Sequence, residues 1–153
     1  MAKLQTDLRE FIGLLNSSKA DYLIVGGHAV AFHGYPRFTG DIDFFLRPLR
    51  ANADRVITAL GEFGFGGLGM VPDDLVIPGR VVQLGLPPNR IDLLTSISGV
   101  EFDDAWSSRV SGELDGQRVN FLGFDALLRN KQASGRDKDL TDLKILLARA
   151  KAP

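Results

Sequence analysis

The chain has 153 residues, 44% apolar and 24% charged, a composition that excludes disordered and fibrous classes. Its formal net charge of −1 excludes the broad positive field of a non-specific nucleic-acid binder, though not a local patch that meets RNA. There is no cysteine, hence no disulfide or cysteine-based zinc site; no apolar run approaches the roughly 20 residues of a membrane helix, and the opening MAKLQTDLREF lacks a signal peptide's apolar core, so a cytoplasmic protein with no membrane partner is expected.

Leu4, Leu8, Phe11, Ile12 and Leu15 recur at helical spacing and predict an amphipathic helix over residues 4–17. Tyr22-Leu23-Ile24-Val25 reads as a buried strand ending on Gly26-Gly27. A short helix from His28 to His33 is stopped by Gly34 and Pro36. Asp41-Ile42-Asp43-Phe44-Phe45-Leu46 is a second strand, followed by a helix over 51–63 with Val56, Ile57, Leu60 and Phe63 on one face. Residues 61–79 form a Gly/Pro-rich connection. Val81–Leu84 and Arg90–Leu94 read as paired strands around Pro87-Pro88-Asn89. A hairpin follows, with strands near 109–114 and 117–122 joined through the two-residue turn Asp115-Gly116. Two helices, about 124–133 and 138–150, close the chain and break near Gly135. Without repeats or a linker, this order predicts a single domain over 1–153, α/β (α+β), with a mixed sheet flanked by helices and a C-terminal helical pair.

Asp41 and Asp43 lie two apart in a strand, so both side chains project from one face while Ile42 points into the apolar layer. Two such carboxylates repel each other unless a cation sits between them. Mg²⁺ takes oxygen ligands from one or two carboxylates and from substrate phosphates, so an Asp-x-Asp pair suits a metal–nucleotide complex and phosphoryl-type transfer. The competing structural reading is a pair of solvated aspartates at a strand start. Three features weigh against it. Gly26-Gly27, between strand and helix, lets backbone approach a phosphate closely. Asp92 sits inside the apolar run Arg90-Ile91-Asp92-Leu93-Leu94, where an unpaired carboxylate is costly; if that strand lies beside the first acid strand, three carboxylates converge. Arg37-Phe38-Thr39-Gly40 leads into the pair and could bring a guanidinium and a hydroxyl to a triphosphate, although Arg37 serves equally well as a surface ion pair.

The run Val25-Gly26-Gly27-His28-Ala29-Val30-Ala31-Phe32-His33-Gly34, with Arg37, Thr39 and Asp41-Ile42-Asp43, resembles the DNA polymerase beta-type nucleotidyltransferase superfamily. More narrowly it resembles the compact bacterial branch that includes abortive-infection nucleotidyltransferase toxins. The resemblance implies Asp41, Asp43 and Asp92 as catalytic metal ligands for Mg²⁺, or Mn²⁺ in its place, and Gly26 and Gly27 as the seat of an NTP's triphosphate. It extends to Lys131, Arg136, Lys138-Asp139 and Asp142-Leu143, implying that Lys131 contacts phosphates and Asp139 supports the site. Against this stands a plain solvated helix face, with Lys138 and Asp142 as an i,i+4 pair. The implied activity is transfer of an NMP from an NTP to a hydroxyl acceptor. That acceptor is tRNA or another RNA, a protein, or a small molecule such as an aminoglycoside, with an antitoxin as a further partner on the toxin reading. The alternative of a different class is a non-catalytic binding module that keeps the fold.

Other signals are set aside. Gly64-Phe65-Gly66-Gly67-Leu68-Gly69 matches the dinucleotide-binding fingerprint but follows a helix and precedes Met70-Val71-Pro72. His28 and His33 stand about 140° apart around a helix and share no face as metal ligands would. His33 is expected to be packed or capping, and Trp106 to belong to the core.

Overall fold

The computed structural model describes residues 6–64 and 69–151. The elements run α1 (Thr6–Ser17), β1 (Tyr22–Val25), α2 (Gly26–Phe32), β2 (Asp41–Leu46), α3 (Arg50–Phe63), β3 (Val81–Leu84), β4 (Arg90–Leu94), α4 (Phe102–Ser107), β5 (Val110–Leu114), β6 (Gln117–Phe121), α5 (Phe124–Ser134) and α6 (Asp137–Ala150). The six strands form one mixed sheet in the order β3-β4-β2-β1-β6-β5. β1 runs antiparallel to β2 and parallel to β6. β2 and β4 are parallel, and the β3–β4 and β5–β6 pairs are antiparallel. The expected mixed sheet, flanking helices and C-terminal helical pair are all present.

The two faces of β2 divide the molecule into a packing side and a chemical side. Ile42, Phe44 and Leu46 alternate onto one face and are fully buried. Phe44 meets Phe11 of α1 and Tyr22 of β1 edge-to-face, each at 5.5 Å between ring centres. Phe11 also touches Phe63 of α3 at 5.3 Å, so the two long helices share that layer. Asp41, Asp43 and Phe45 alternate onto the opposite face, where Phe45 packs edge-on against Phe102 of α4 at 5.0 Å.

Local chemistry explains most element ends. Gly64 ends α3 with φ 101°, and Gly135 separates α5 from α6 with φ 63°, left-handed angles that a side chain resists. Asp115 and Gly116, with φ 47° and 84°, make the tight turn between β5 and β6. Asn52, 2% exposed, accepts from the Asp21 backbone N–H at 2.7 Å and donates to the carbonyls of Asp21 and Arg47, tying the start of β1 to the end of β2.

Three details differ from the expectation. α2 begins at Gly26, two residues early, because the glycines are its first turn and not a loop before it. The connection after α3 contains a short 3₁₀ turn, Pro72–Leu75, anchored by buried Leu75. α4 has no counterpart in the expected elements. With six residues it is too short to show a helical period, and it forms because Phe102 and Ala105 are buried together. Most of the glycine-rich stretch from Gly64 to Gly69 lies outside the described residues, as does Leu4 of the first predicted helix.

Phe44 is the centre of the packing face. Phe44→Ala should lower stability by about 3–5 kcal/mol, the usual cost of a core phenylalanine cavity. Urea unfolding with an unchanged slope and a reduced midpoint would show it.

Candidate active site

The parallel pairing of β2 with β4 sets Asp41 opposite Arg90 and Asp43 opposite Asp92. Side chains in register on adjacent strands project from the same face, so the register alone gathers three carboxylates and one guanidinium at one spot. Asp41, Asp43 and Asp92 each present an oxygen within 4.8 Å of the others. An all-oxygen set of this kind can hold a hard divalent cation.

Arg90 is singled out by none of the motifs above and yet binds two of the acids. Its Nη2 donates to Asp41 Oδ2 at 2.7 Å and to Asp92 Oδ2 at 3.1 Å, and its Nε donates to Asp92 Oδ1 at 2.9 Å. The signal was present: two residues apart on a strand, Arg90 and Asp92 must share a face. Thr39 Oγ1 donates to Asp41 Oδ1 at 3.0 Å, which gives the threonine of the leading loop a definite role.

These contacts separate the acids electrostatically. Burial works to raise the Asp41 pKa, but hydrogen bonds, with Thr39's the strongest and Arg90's among them, hold it below the ordinary value. Asp43 is pushed from 3.8 up to about 7, by burial first and then by the charges of Asp41 and Asp92. Asp92 is also raised, by burial, with the Arg90 hydrogen bond opposing. His28 of α2 is lowered by its burial, against the pull of the Asp41 charge, so an imidazole lies near the acids without being one of the grouped ligands. His33 sits elsewhere, its Nε2 2.7 Å from the Leu122 carbonyl oxygen and its ring edge-on to Phe124.

The glycines are required by contact. A Cβ built on Gly26, whose φ is 66°, would collide with the Asp43 carboxylate. One on Gly27 would press Thr39 at 3.0 Å. The backbone of α2 is thus brought against two residues of the acid cluster. From Gly26 and Asp43 a polar cavity of about 580 Å³ extends past Ser96 and Ser98 of the loop after β4 to Lys131, Arg136 and Asp139. That loop is pinned to α5, where Asn130 donates to the Ser98 carbonyl at 2.9 Å and Gly99 leaves no room for a Cβ against Ala133.

The C-terminal residues form their own buried network. Lys131, Asp139 and Asp142 are 4%, 0% and 2% exposed. Lys131 Nζ lies 3.3 Å from Asp139 Oδ1 and 3.1 Å from Asp142 Oδ2. Asp139 also accepts from Ser134 Oγ at 2.8 Å and from Arg136 Nε at 2.7 Å. Burial would raise the Asp139 pKa, but the Arg136 and Ser134 hydrogen bonds and the Lys131 charge hold it well below the usual carboxylate range. Arg37 Nη2 donates to Asp142 Oδ2 at 2.9 Å, while its Nε is buried without a hydrogen-bond partner. The reading of Asp142 as a solvated partner for Lys138 is corrected: Asp142 is buried and its carboxylate is taken by Arg37 and Lys131, because α6 turns that side inward against α5. Lys131 and Asp139 line the cavity with Asp43, whereas Arg37 is directed to Asp142 and stands outside the cavity lining.

No family model matches the chain, and no curated protein matches it. Among solved structures it is similar to an antigenic nucleotidyltransferase-like protein from Paracoccidioides brasiliensis, with 18% identity and a TM-score of 0.49, over 96% of this chain and 77% of that one. The chemistry of the site therefore rests on its own residues.

Two predictions follow from this geometry. Between the ordinary value of 3.8 and its native value of about 7, Asp43 keeps a proton in the folded state that it loses when unfolded. Its contribution to metal-free stability is therefore greatest at low pH and declines as pH rises through that window. Asp43→Asn should abolish the decline and be more stable than the parent at about pH 8, by on the order of 2 kcal/mol. Urea titrations in EDTA across the window test this; an equal gap at both ends would refute it. In the second, Lys131→Met strips a cation from two buried carboxylates and should cost about 3 kcal/mol, read from the unfolding midpoint at neutral pH.

Proposed function

We propose that this protein is a metal-dependent nucleotidyltransferase that moves an NMP from an NTP to a hydroxyl acceptor. The observation that carries the proposal is the β2–β4 register, which brings Asp41, Asp43 and Asp92 together, with Asp43 on the wall of a polar cavity large enough for a nucleotide. A divalent metal, Mg²⁺ or Mn²⁺, bound by these three would neutralise charge on the transferring phosphoryl group and on the departing pyrophosphate.

The chain's own residues supply the rest. Asp41 and Asp43 would hold the metal–triphosphate complex, and Asp92 would complete the ligand set. In the reaction the acceptor oxygen bonds to the α-phosphorus, the bond between that phosphorus and the bridging oxygen of the pyrophosphate breaks, and pyrophosphate leaves. The acceptor's proton passes to a carboxylate of the cluster, Asp92 being the one assigned. Gly26 and Gly27 bring the backbone of α2 against Asp43 and Thr39, where a Cβ would collide, and so would seat the triphosphate beside the acids. Arg136, whose side chain is 74% exposed on the cavity wall, is available to the polyphosphate, whereas Lys131 acts from within the buried network. Thr39 fixes Asp41, and Arg37 steadies Asp142.

The resemblance of Val25–Gly34 and Asp41–Asp43 to the toxin branch favours tRNA or another RNA as acceptor over a small molecule such as an aminoglycoside. On that reading an antitoxin partner would restrain the enzyme in the cytoplasm.

The deciding experiment is incubation with Mg²⁺ and each α-³²P-labelled NTP in the presence of total bacterial RNA and protein. Label should move to a macromolecule with the parent protein and fall by about a hundred- to a thousandfold with Asp43→Ala, the scale expected when a transition-state charge partner is lost. Mg²⁺ with the preferred NTP should also raise the melting temperature of the parent. No transfer to any acceptor and no stabilisation by any nucleotide would overturn the proposal.

A further inference from the structure

Arg90 holds two of the three acids by the oxygens that a metal would use. Its Nη2 reaches both Asp41 Oδ2 and Asp92 Oδ2, its Nε takes Asp92 Oδ1, and Thr39 covers Asp41 Oδ1. All four oxygens of Asp41 and Asp92 thus accept a hydrogen bond from the protein, while Asp43 is the carboxylate that Arg90 does not touch. A delocalised guanidinium at 2.7–3.1 Å thus takes oxygens of two of the three carboxylates that would hold a divalent cation. Two cations on one set of oxygens repel strongly in a partly buried site. The Arg90 side chain is 29% exposed, so it has an open path away from the acids.

Resting on the nucleotidyltransferase reading of this site, we propose that Arg90 is a tethered counter-ion that keeps the acid cluster assembled before metal arrives and that the incoming metal displaces. Arg90 is then a positioning residue with two effects of opposite sign. It lowers the repulsion among Asp41, Asp43 and Asp92 in the metal-free protein, and it competes with free divalent cation for Asp41 and Asp92. Metal carried in with a triphosphate overcomes that competition through the added phosphate contacts; metal alone does so poorly. The site would in this way favour the metal–nucleotide complex over the bare ion.

The test uses Mn²⁺ alone, titrated by electron paramagnetic resonance into the parent, Arg90→Gln and Arg90→Lys, with Asp43→Asn to mark the site. Arg90→Gln should bind Mn²⁺ on the order of tenfold tighter than the parent, the weight of the charge-assisted hydrogen bonds no longer surrendered. Without metal it should melt at a lower temperature, and Mn²⁺ should raise its melting temperature more than the parent's. Arg90→Lys keeps the charge without the fork and should fall between the two; it decides the matter if Arg90→Gln does not fold. Equal or weaker Mn²⁺ binding by the Arg90 variants, with binding to the parent abolished by Asp43→Asn, would overturn the counter-ion role and leave the enzyme reading intact. Absence of Mn²⁺ binding in every protein, persisting when the titrations are repeated with each NTP added, would overturn both.

Discussion

Mutual repulsion among three carboxylates is the constraint around which this molecule is arranged. Asp41, Asp43 and Asp92 are placed together by backbone hydrogen bonds between β2 and β4, a scaffold strong enough to hold like charges at close range. The cost is offset locally by Arg90 and Thr39, and what is not offset adds to burial at Asp43, whose carboxyl is pushed to about 7 by its burial first and by the charges of Asp41 and Asp92 second. Burial on the far face of β2, with Phe44 wedged against Phe11 and Tyr22, supplies the stability that such an arrangement draws upon.

A second charged assembly lies across the cavity and is built on the opposite logic. Lys131, Asp139 and Asp142 are nearly excluded from water, but each charge is answered, with Arg37, Arg136 and Ser134 filling remaining valences. This network holds α5, α6 and the loop before β2 in one relation, and so fixes the cavity wall that faces the acids. One assembly keeps an electrostatic deficit and the other balances it, an arrangement suited to receiving a cation with a polyanion.

Much of this was legible beforehand because strand rules are local. Period-two alternation alone put Asp41 and Asp43 on one face, and the apolar neighbours of Asp92 marked a carboxylate in an expensive place. β1, β2, β3 and β4 are bounded as expected, the runs of β1, β2 and β3 ending at or next to glycine or proline. α4 was not legible, because six residues carry no period and its formation depends on Phe45 being there to receive Phe102. Arg90 was within reach of the same alternation rule that served Asp92.

By itself, then, the sequence determined every strand, the longer helices, the mixed class of the fold and the candidate acids, all of which follow from hydrophobic period and the stereochemistry of glycine and proline over a few residues. Only the tertiary structure decided that β4 lies beside β2 in the register that pairs Asp43 with Asp92. It alone turned Lys131, Asp139 and Asp142 inward to one another and set Arg90 between two of the acids. The pairings of Asp43 with Asp92 and of Asp41 with Arg90 each span 49 residues of chain, and all these relations are selected by which neighbours can bury apolar surface and answer charge at once, a choice that no local pattern encodes.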